Sequence, residues 1–285
     1  MAGLVVATSL PTIFWREVLA RPSPSWITVL GAGAAVLLLL ATLVVNELRS
    51  LRLFGAVLLA QALGFAVIDL VGSSAAYRAW ALAQPAALSF AAANSAKLVP
   101  VTLAAVVLAA SGSTREQLFM RLGDMRALAE LPLPITRRKT TWPRLGMAVI
   151  VLVAVYLVFH IGVTRHPEAN VFGRLLTLAP VVLAGAAVNA FSEEFLFRNS
   201  LLSPLTATLG RPHAVWLTSI RFGIGHFYGN PSGPVGVAAA TIFGFVLARS
   251  MLETRGSGWA WLIHFVQDVV IFGLIALTPP ALWLP

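Results

Sequence analysis

The sequence predicts an all-α, polytopic integral membrane protein, and three observations predict it. Hydrophobic residues make up 58% of the 285, charged residues 11%, and the mean hydropathy is +0.85, well outside the range of soluble domains. The apolar residues gather in runs of the roughly 20 residues that a helix needs to cross a hydrocarbon core. The basic residues fall mostly in the short connections between those runs, where they act as topology signals.

Taken in order, residues 1–25 read as a retained interfacial segment. Arg16 and Glu17 interrupt its apolar character, Arg21, Pro22 and Pro24 end it, and it lacks the basic-first, small-residue-last order of a cleaved leader. Spans are expected at 26–46, 53–72, 86–110, 145–164, 175–197, 213–228, 234–252 and 258–277, about eight in all. The third holds Asn94, Lys97 and Pro100. Pro204, Gly210 and Pro212 turn 199–212 into a re-entrant or interfacial piece before the sixth. The connection 111–144 carries Arg115, Arg121, Arg126, Arg137, Arg138, Lys139 and Arg144 against Glu116, Asp124 and Glu130. By the positive-inside rule it is cytoplasmic, and alternation outwards from it puts both termini outside. The expected organisation is a segment 1–25, accessory spans over 26–144 and a second membrane domain over 145–277, the one to which the resemblance given below assigns catalysis.

Composition also excludes. There is no cysteine, so disulfides, a thiolate nucleophile and a cysteine-ligated metal all drop out. The net charge of +9 is accounted for by the connections, so no nucleic-acid partner is expected and the lipid bilayer is. Polar intramembrane residues are sparse before residue 145 (Gln61, Asp69, Asn94, Lys97) and patterned after 175. Any chemistry therefore belongs to the second half.

Three short constellations carry that pattern: Glu193-Glu194-x-x-x-Arg198, Phe222-x-x-x-His226 and His264-x-x-x-Asp268. Ionisable groups are expensive in hydrocarbon, so their presence on three apolar segments argues for a shared polar site. On an α-helix residues four apart share a face, so Glu194 and Arg198 can pair while Glu193 points elsewhere. Glu193 is then the candidate general base, a carboxylate able to take a proton from water and return it to a leaving amine. Read alone, Glu-Glu-x-x-x-Arg serves equally well as a structural ion network at a helix end. His226 stands among Gly223, Gly225 and Gly229 and is followed by Asn230-Pro231. A lone histidine there is more often interfacial than catalytic. His264 and Asp268 share a face deep in an apolar run, where neither survives without a partner; Asp268 can orient His264 and fix its tautomer.

Each motif fixes only two or three residues, but their order and spacing together are specific. The set resembles the CPBP family of intramembrane proteases, which includes the CAAX prenyl endopeptidases and the bacteriocin-linked Abi proteins. Its pattern is Glu-Glu-x-x-x-Arg, then Phe-x-x-x-His, then His-x-x-x-Asn/Asp. The resemblance covers about 175–275 and extends to Phe197, Gly225, Phe243-Gly244 and Arg255-Gly-Ser-Gly-Trp259. Asn199, where glycine is frequent, and the extra cation Arg221 depart from it. The resemblance implies a peptide-bond hydrolase in which Glu193, helped by His226, activates a water. His264 and Asp268 then stand beside the carbonyl oxygen, with Glu194 and Arg198 completing the catalytic set and Phe222 and Asn230 supporting it. The implied substrate is a membrane-associated protein or peptide, and the implied location a multi-pass position in the cell membrane, the bacterial inner membrane.

No cofactor is favoured. Zinc held by Glu193, His226 and His264 with water as fourth ligand is the alternative, but no His-Glu-x-x-His helix is present. That absence also sets aside site-2 metalloproteases. Presenilin-like paired aspartates and a rhomboid Gly-x-Ser-Gly turn are missing too. The remaining rival is a non-catalytic membrane immunity or binding protein, or a transporter, using the same polar cluster. Transporters place broken helices in matching positions of two halves, whereas here the polar residues concentrate in one.

Overall fold

The computed structural model describes residues 8–24, 26–130, 140–165 and 171–277. Arg137, Arg138 and Lys139 of the basic connection and the first seven residues of the expected interfacial segment lie outside them. The described chain is almost entirely helical. A short helix Leu10–Ile13 runs into a π turn, Phe14–Val18. Then come α1 (Trp26–Val44), a 3-10 turn (Asn46–Leu51), α2 (Arg52–Ser73), α3 (Ala75–Ala83), α4 (Ala86–Ala96), α5 (Leu98–Ala110), α6 (Trp142–Arg165), α7 (Val171–Glu194), a second π turn (Phe195–Asn199), α8 (Leu202–Leu209), α9 (Arg211–Gly225), α10 (Gly233–Thr254) and α11 (Gly258–Ala276). A two-residue antiparallel pair, Leu128–Ala129 with Thr140–Thr141, is the only sheet among the described residues.

Among the described residues, six stretches are long and apolar enough to cross a membrane: Asn46–Ser73, Ala86–Ala110, Trp142–Val163, Leu175–Leu209, Gly233–Thr254 and Gly258–Ala276. Each coincides with an expected span. Expected spans 26–46 and 213–228 are not among the six. The first supplies an apolar stretch of Val29–Val44 only. The second forms the 15-residue α9, which carries Arg211, His213 and Arg221. The third span is two helices, α4 and α5, meeting at Lys97. Pro100, in the first turn of α5, has no N–H to give to the carbonyl of Ala96, so the interruption falls where a regular helix would need that bond. The expected re-entrant piece 199–212 is a π turn followed by α8. Gly210, with φ of +81°, ends α8 and starts α9 in a conformation that a side chain would disfavour.

The chain forms two compact units. One consists of the described residues of Met1–Gly72, Leu98–Leu118 and Phe195–Ala248. In it α8 packs on α9, and both meet the second π turn. Gly223 lets α9 approach α10 closely, since a Cβ there would stand 2.6 Å from the carbonyl oxygen of Val237. Near the N-terminus, Tyr228 donates to Glu17 at 3.0 Å and Arg16 lies over its ring.

The other unit consists of the described residues of Ser73–Lys97, Phe119–Glu194 and Arg249–Pro285. Here α11 packs along α7 and α6, and α4 lies against α7. Phe90 of α4 meets Phe272 of α11 edge-on, with ring centroids 4.9 Å apart. Part of the basic connection is folded onto the turn before α11. Asp124 N–H donates to Thr254 O, Ser257 N–H to Arg121 O and Gly258 N–H to Leu122 O, while Trp259 Nε1 donates to Met125 O at 2.9 Å. A side chain at Gly256 would collide with the backbone of Arg121 and Gly123, which explains the glycines of Arg255-Gly-Ser-Gly-Trp259. Glu253 fastens the same region: one carboxylate oxygen accepts from Trp142 Nε1 (2.9 Å) and Glu130 N–H (3.0 Å), and the other pairs with Arg249 (2.5 Å).

Candidate active site

Within the second unit, α7 and α11 bring together four of the residues singled out by sequence: Glu193, Glu194, His264 and Asp268. His264 is 1% exposed. Its Nδ1 lies 2.6 Å from Glu194 Oε1, and because a carboxylate only accepts, Nδ1 carries the proton and donates. The other ring nitrogen lies 3.6 Å from Glu193 Oε2 and 3.7 Å from Asp268 Oδ2. Histidine and aspartate are one turn apart on α11, as their i,i+4 spacing requires.

Two further residues complete this cluster, and neither stood out in the sequence as a site residue. Lys97, at the break between α4 and α5, places its ammonium 2.7 Å from Glu193 Oε1 and donates also to Asn189 Oδ1. Asn189 turns its amide nitrogen to Asp268 Oδ2, 2.9 Å away. Lysine, asparagine and aspartate thus form a continuous chain beside Glu193. The signals existed: a lysine in the middle of an apolar run is costly unless paired, and Asn189 precedes Glu193 by four residues on α7. Three carboxyl groups here face one ammonium and one imidazole, and such groups persist in an apolar bundle only by bonding to one another.

The other unit holds Arg198, Phe222 and His226. The α-helical register assumed for Glu194 to Arg198 ends at Glu194. Phe195–Asn199 is a π turn in which Ser200 N–H bonds the carbonyl of Phe195, five residues back. Such one-turn widenings recur at functional sites. Gln61 of α2 ties the turn down, donating to Leu196 O (2.8 Å) and Ser200 Oγ (2.9 Å) while accepting from Arg221 Nη2 (2.9 Å). Asn199 donates to Leu118 O at 2.7 Å, a bond that glycine could not make.

Arg198 is fully buried, its guanidinium 4.2 Å from the centroid of Phe222, and Arg221 stacks likewise over Phe197 at 4.9 Å. The two phenyl rings meet edge-on at 5.2 Å. Gly244 leaves room for the first guanidinium, since a Cβ there would stand 3.0 Å from Arg198 Nη2. His226 closes α9, and its Nδ1 lies 2.8 Å from Phe222 O. A carbonyl only accepts, so Nδ1 donates. Phe222 therefore supports the histidine with its carbonyl and the arginine with its ring. Asn230 lies in the turn after α9 and precedes a cis bond to Pro231. Among the described residues, no group of three or more His, Asp or Glu side chains is arranged to hold a metal ion.

Residues 175–270 match a family model described as type II CAAX prenyl endopeptidase Rce1-like. This match places the segment in the CPBP family that the three motifs resemble, and with the six apolar stretches it makes the chain a multi-pass membrane protein. No curated protein and no solved structure matches the chain.

Proposed function

We propose that this Rce1-like membrane protein is an intramembrane endopeptidase that hydrolyses a peptide bond in a membrane-associated protein or peptide. The observation that carries the reading is Glu193, a carboxylate on an apolar helix set between the Lys97 ammonium at 2.7 Å and the His264 ring at 3.6 Å. A carboxylate held by fixed partners in a water-poor bundle is suited to take a proton from water as the hydroxyl attacks a carbonyl carbon, and to hand that proton to the departing amine. Glu194 fixes the tautomer and direction of His264, the service that a hydrogen-bonded carboxylate gives a working imidazole. His226 takes its assisting role from the Phe-x-x-x-His motif. Acid–base action suffices for this chemistry, and zinc is not required. The bacterial inner membrane is the location this reading takes.

The test is Glu193→Gln in purified protein, assayed with a farnesylated CAAX peptide and with membrane-protein substrates identified by N-terminal mass spectrometry of a deletion strain. Cleavage falls by about 10²-fold or more when a general base is removed, with folding unchanged. Full turnover by the variant removes Glu193 from this role. A biological activity that persists without cleavage moves the protein to the non-catalytic binder class.

A further inference from the structure

Lys97 lies outside the segment 175–270 that matches the family model, yet it touches the proposed base. An ammonium has three N–H donors. Two go to Asn189 Oδ1 and Glu193 Oε1, and the third has no partner among the described residues. The lysine side chain is 33% exposed, against 11% for Glu193. A cation near the centre of an apolar run is strongly disfavoured against lipid, so the uncovered part of this one belongs where water or a polar substrate group comes.

The other polar groups of the cluster do not offer such a donor. His264 is 1% exposed and presents Nδ1 to Glu194 and Nε2 to Glu193 and Asp268. Asp268 accepts from Asn189, so it acts there as an acceptor, where an asparagine at the same position could have donated. A hydrolase that develops an oxyanion needs a fixed donor aimed at it.

We propose that Lys97 is a catalytic residue whose third N–H donates to the carbonyl oxygen of the scissile bond, with Asn189 holding the ammonium in place. The inference rests on the endopeptidase reading. Glu193 removes a proton from water, the oxygen bonds to the carbonyl carbon, and the carbonyl electron pair moves to its oxygen against the lysine N–H. On collapse the carbonyl re-forms, the carbon–nitrogen bond breaks and the amine takes the proton from Glu193. Lys97 keeps its own proton throughout.

The natural chain has no cysteine, so Lys97→Cys installs a single thiol that 2-bromoethylamine converts to an ammonium-bearing side chain and iodoacetamide to a neutral one. With a farnesylated CAAX peptide as substrate, Lys97→Cys lowers kcat about 10²- to 10³-fold, the range for loss of one oxyanion donor, and changes KM by less than about threefold. Aminoethylation restores at least tenfold of the loss, and the neutral adduct restores none. Recovery on alkylation is a result that a misfolded variant cannot give. A phosphinate isostere of the same peptide, which carries the oxyanion permanently, binds the unsubstituted protein at least tenfold more tightly than Lys97→Cys. Unchanged kcat, a loss confined to KM, rescue by the neutral adduct, or equal phosphinate affinity overturns the proposal. Glu193→Gln is assayed alongside: loss there with full activity in Lys97→Cys sinks the lysine assignment alone, full activity in both removes both residues from the reaction, and absence of cleavage by the unsubstituted protein sinks the endopeptidase reading.

Discussion

His264 Nδ1 and Glu194 Oε1 are 2.6 Å apart, and both side chains are almost fully enclosed, at 1% and 2% exposure. The pair joins α11 to the last residue of α7. Glu194→Ala removes the acceptor and leaves a buried imidazole N–H without it. The expected loss is on the order of 3 kcal/mol, typical of breaking a buried pair from one side. Glu194→Gln keeps an acceptor oxygen and loses less. Thermal unfolding of both variants in detergent checks the order.

Gln61 holds a hub of three buried hydrogen bonds, to Leu196 O, Ser200 Oγ and Arg221 Nη2. Gln61→Leu is nearly isosteric yet strands Arg221 Nη2, while Ser200 Oγ still donates to Leu196 O at 3.1 Å, so it costs about 1–3 kcal/mol for the buried group left unsatisfied. The consequence is a lower unfolding temperature. Gln61→Glu retains the oxygen facing Arg221 and recovers part of the loss. A Leu variant as stable as the parent would mean that other groups take over these bonds.

Gly223→Ala drives a methyl group into the backbone of Val237 and the side chain of Thr241. Overpacking at such a contact costs about 1–3 kcal/mol, and backbone cannot swing aside as a side-chain tip can. Gly273→Ala, where a Cβ meets nothing within 4 Å, is the control and loses no stability, since alanine is the better helix former by about 0.5–1 kcal/mol. Chemical denaturation of the two side by side tests the contrast.

We expect activity to survive exhaustive chelation and purified protein to carry well below one zinc per chain. The reason is local: one oxygen of Glu193 already faces the Lys97 ammonium, which competes with a divalent cation for the same lone pairs. Elemental analysis near one zinc per chain, with chelator inactivation reversed by zinc, overturns this and moves Glu193, His226 and His264 from acid–base to ligand roles.

Six of the eight expected spans were legible because apolar runs and their basic flanks are local signals. The cost of ionisable groups in hydrocarbon predicts one shared site of Glu193, Glu194, Arg198, His226, His264 and Asp268, and of these Glu193, Glu194, His264 and Asp268 meet within one unit. The helix break at Lys97 was foreshadowed by Pro100. What stayed hidden depends on tertiary geometry. Lys97 meets Glu193 across 96 positions of sequence, and no periodicity reports such a distance. Asn189 reads as an ordinary small polar residue until Asp268 is seen beside it. The π turn after Glu194 escaped because spacing arguments assume 3.6 residues per turn. The folding of 121–125 onto the turn before α11 escaped because a charged connection reads as solvated chain.

The ion pair between Lys97 and Glu193 bears on how the gene can be cut. A fragment encoding only 145–285 would supply α7 and α11 with all three carboxyl groups and their histidine, but without the ammonium that faces Glu193. Such a fragment leaves Glu193 in the bilayer without the cation it pairs with. The two parts are therefore expected to complement one another when translated separately, and neither is expected to serve as a transplantable module.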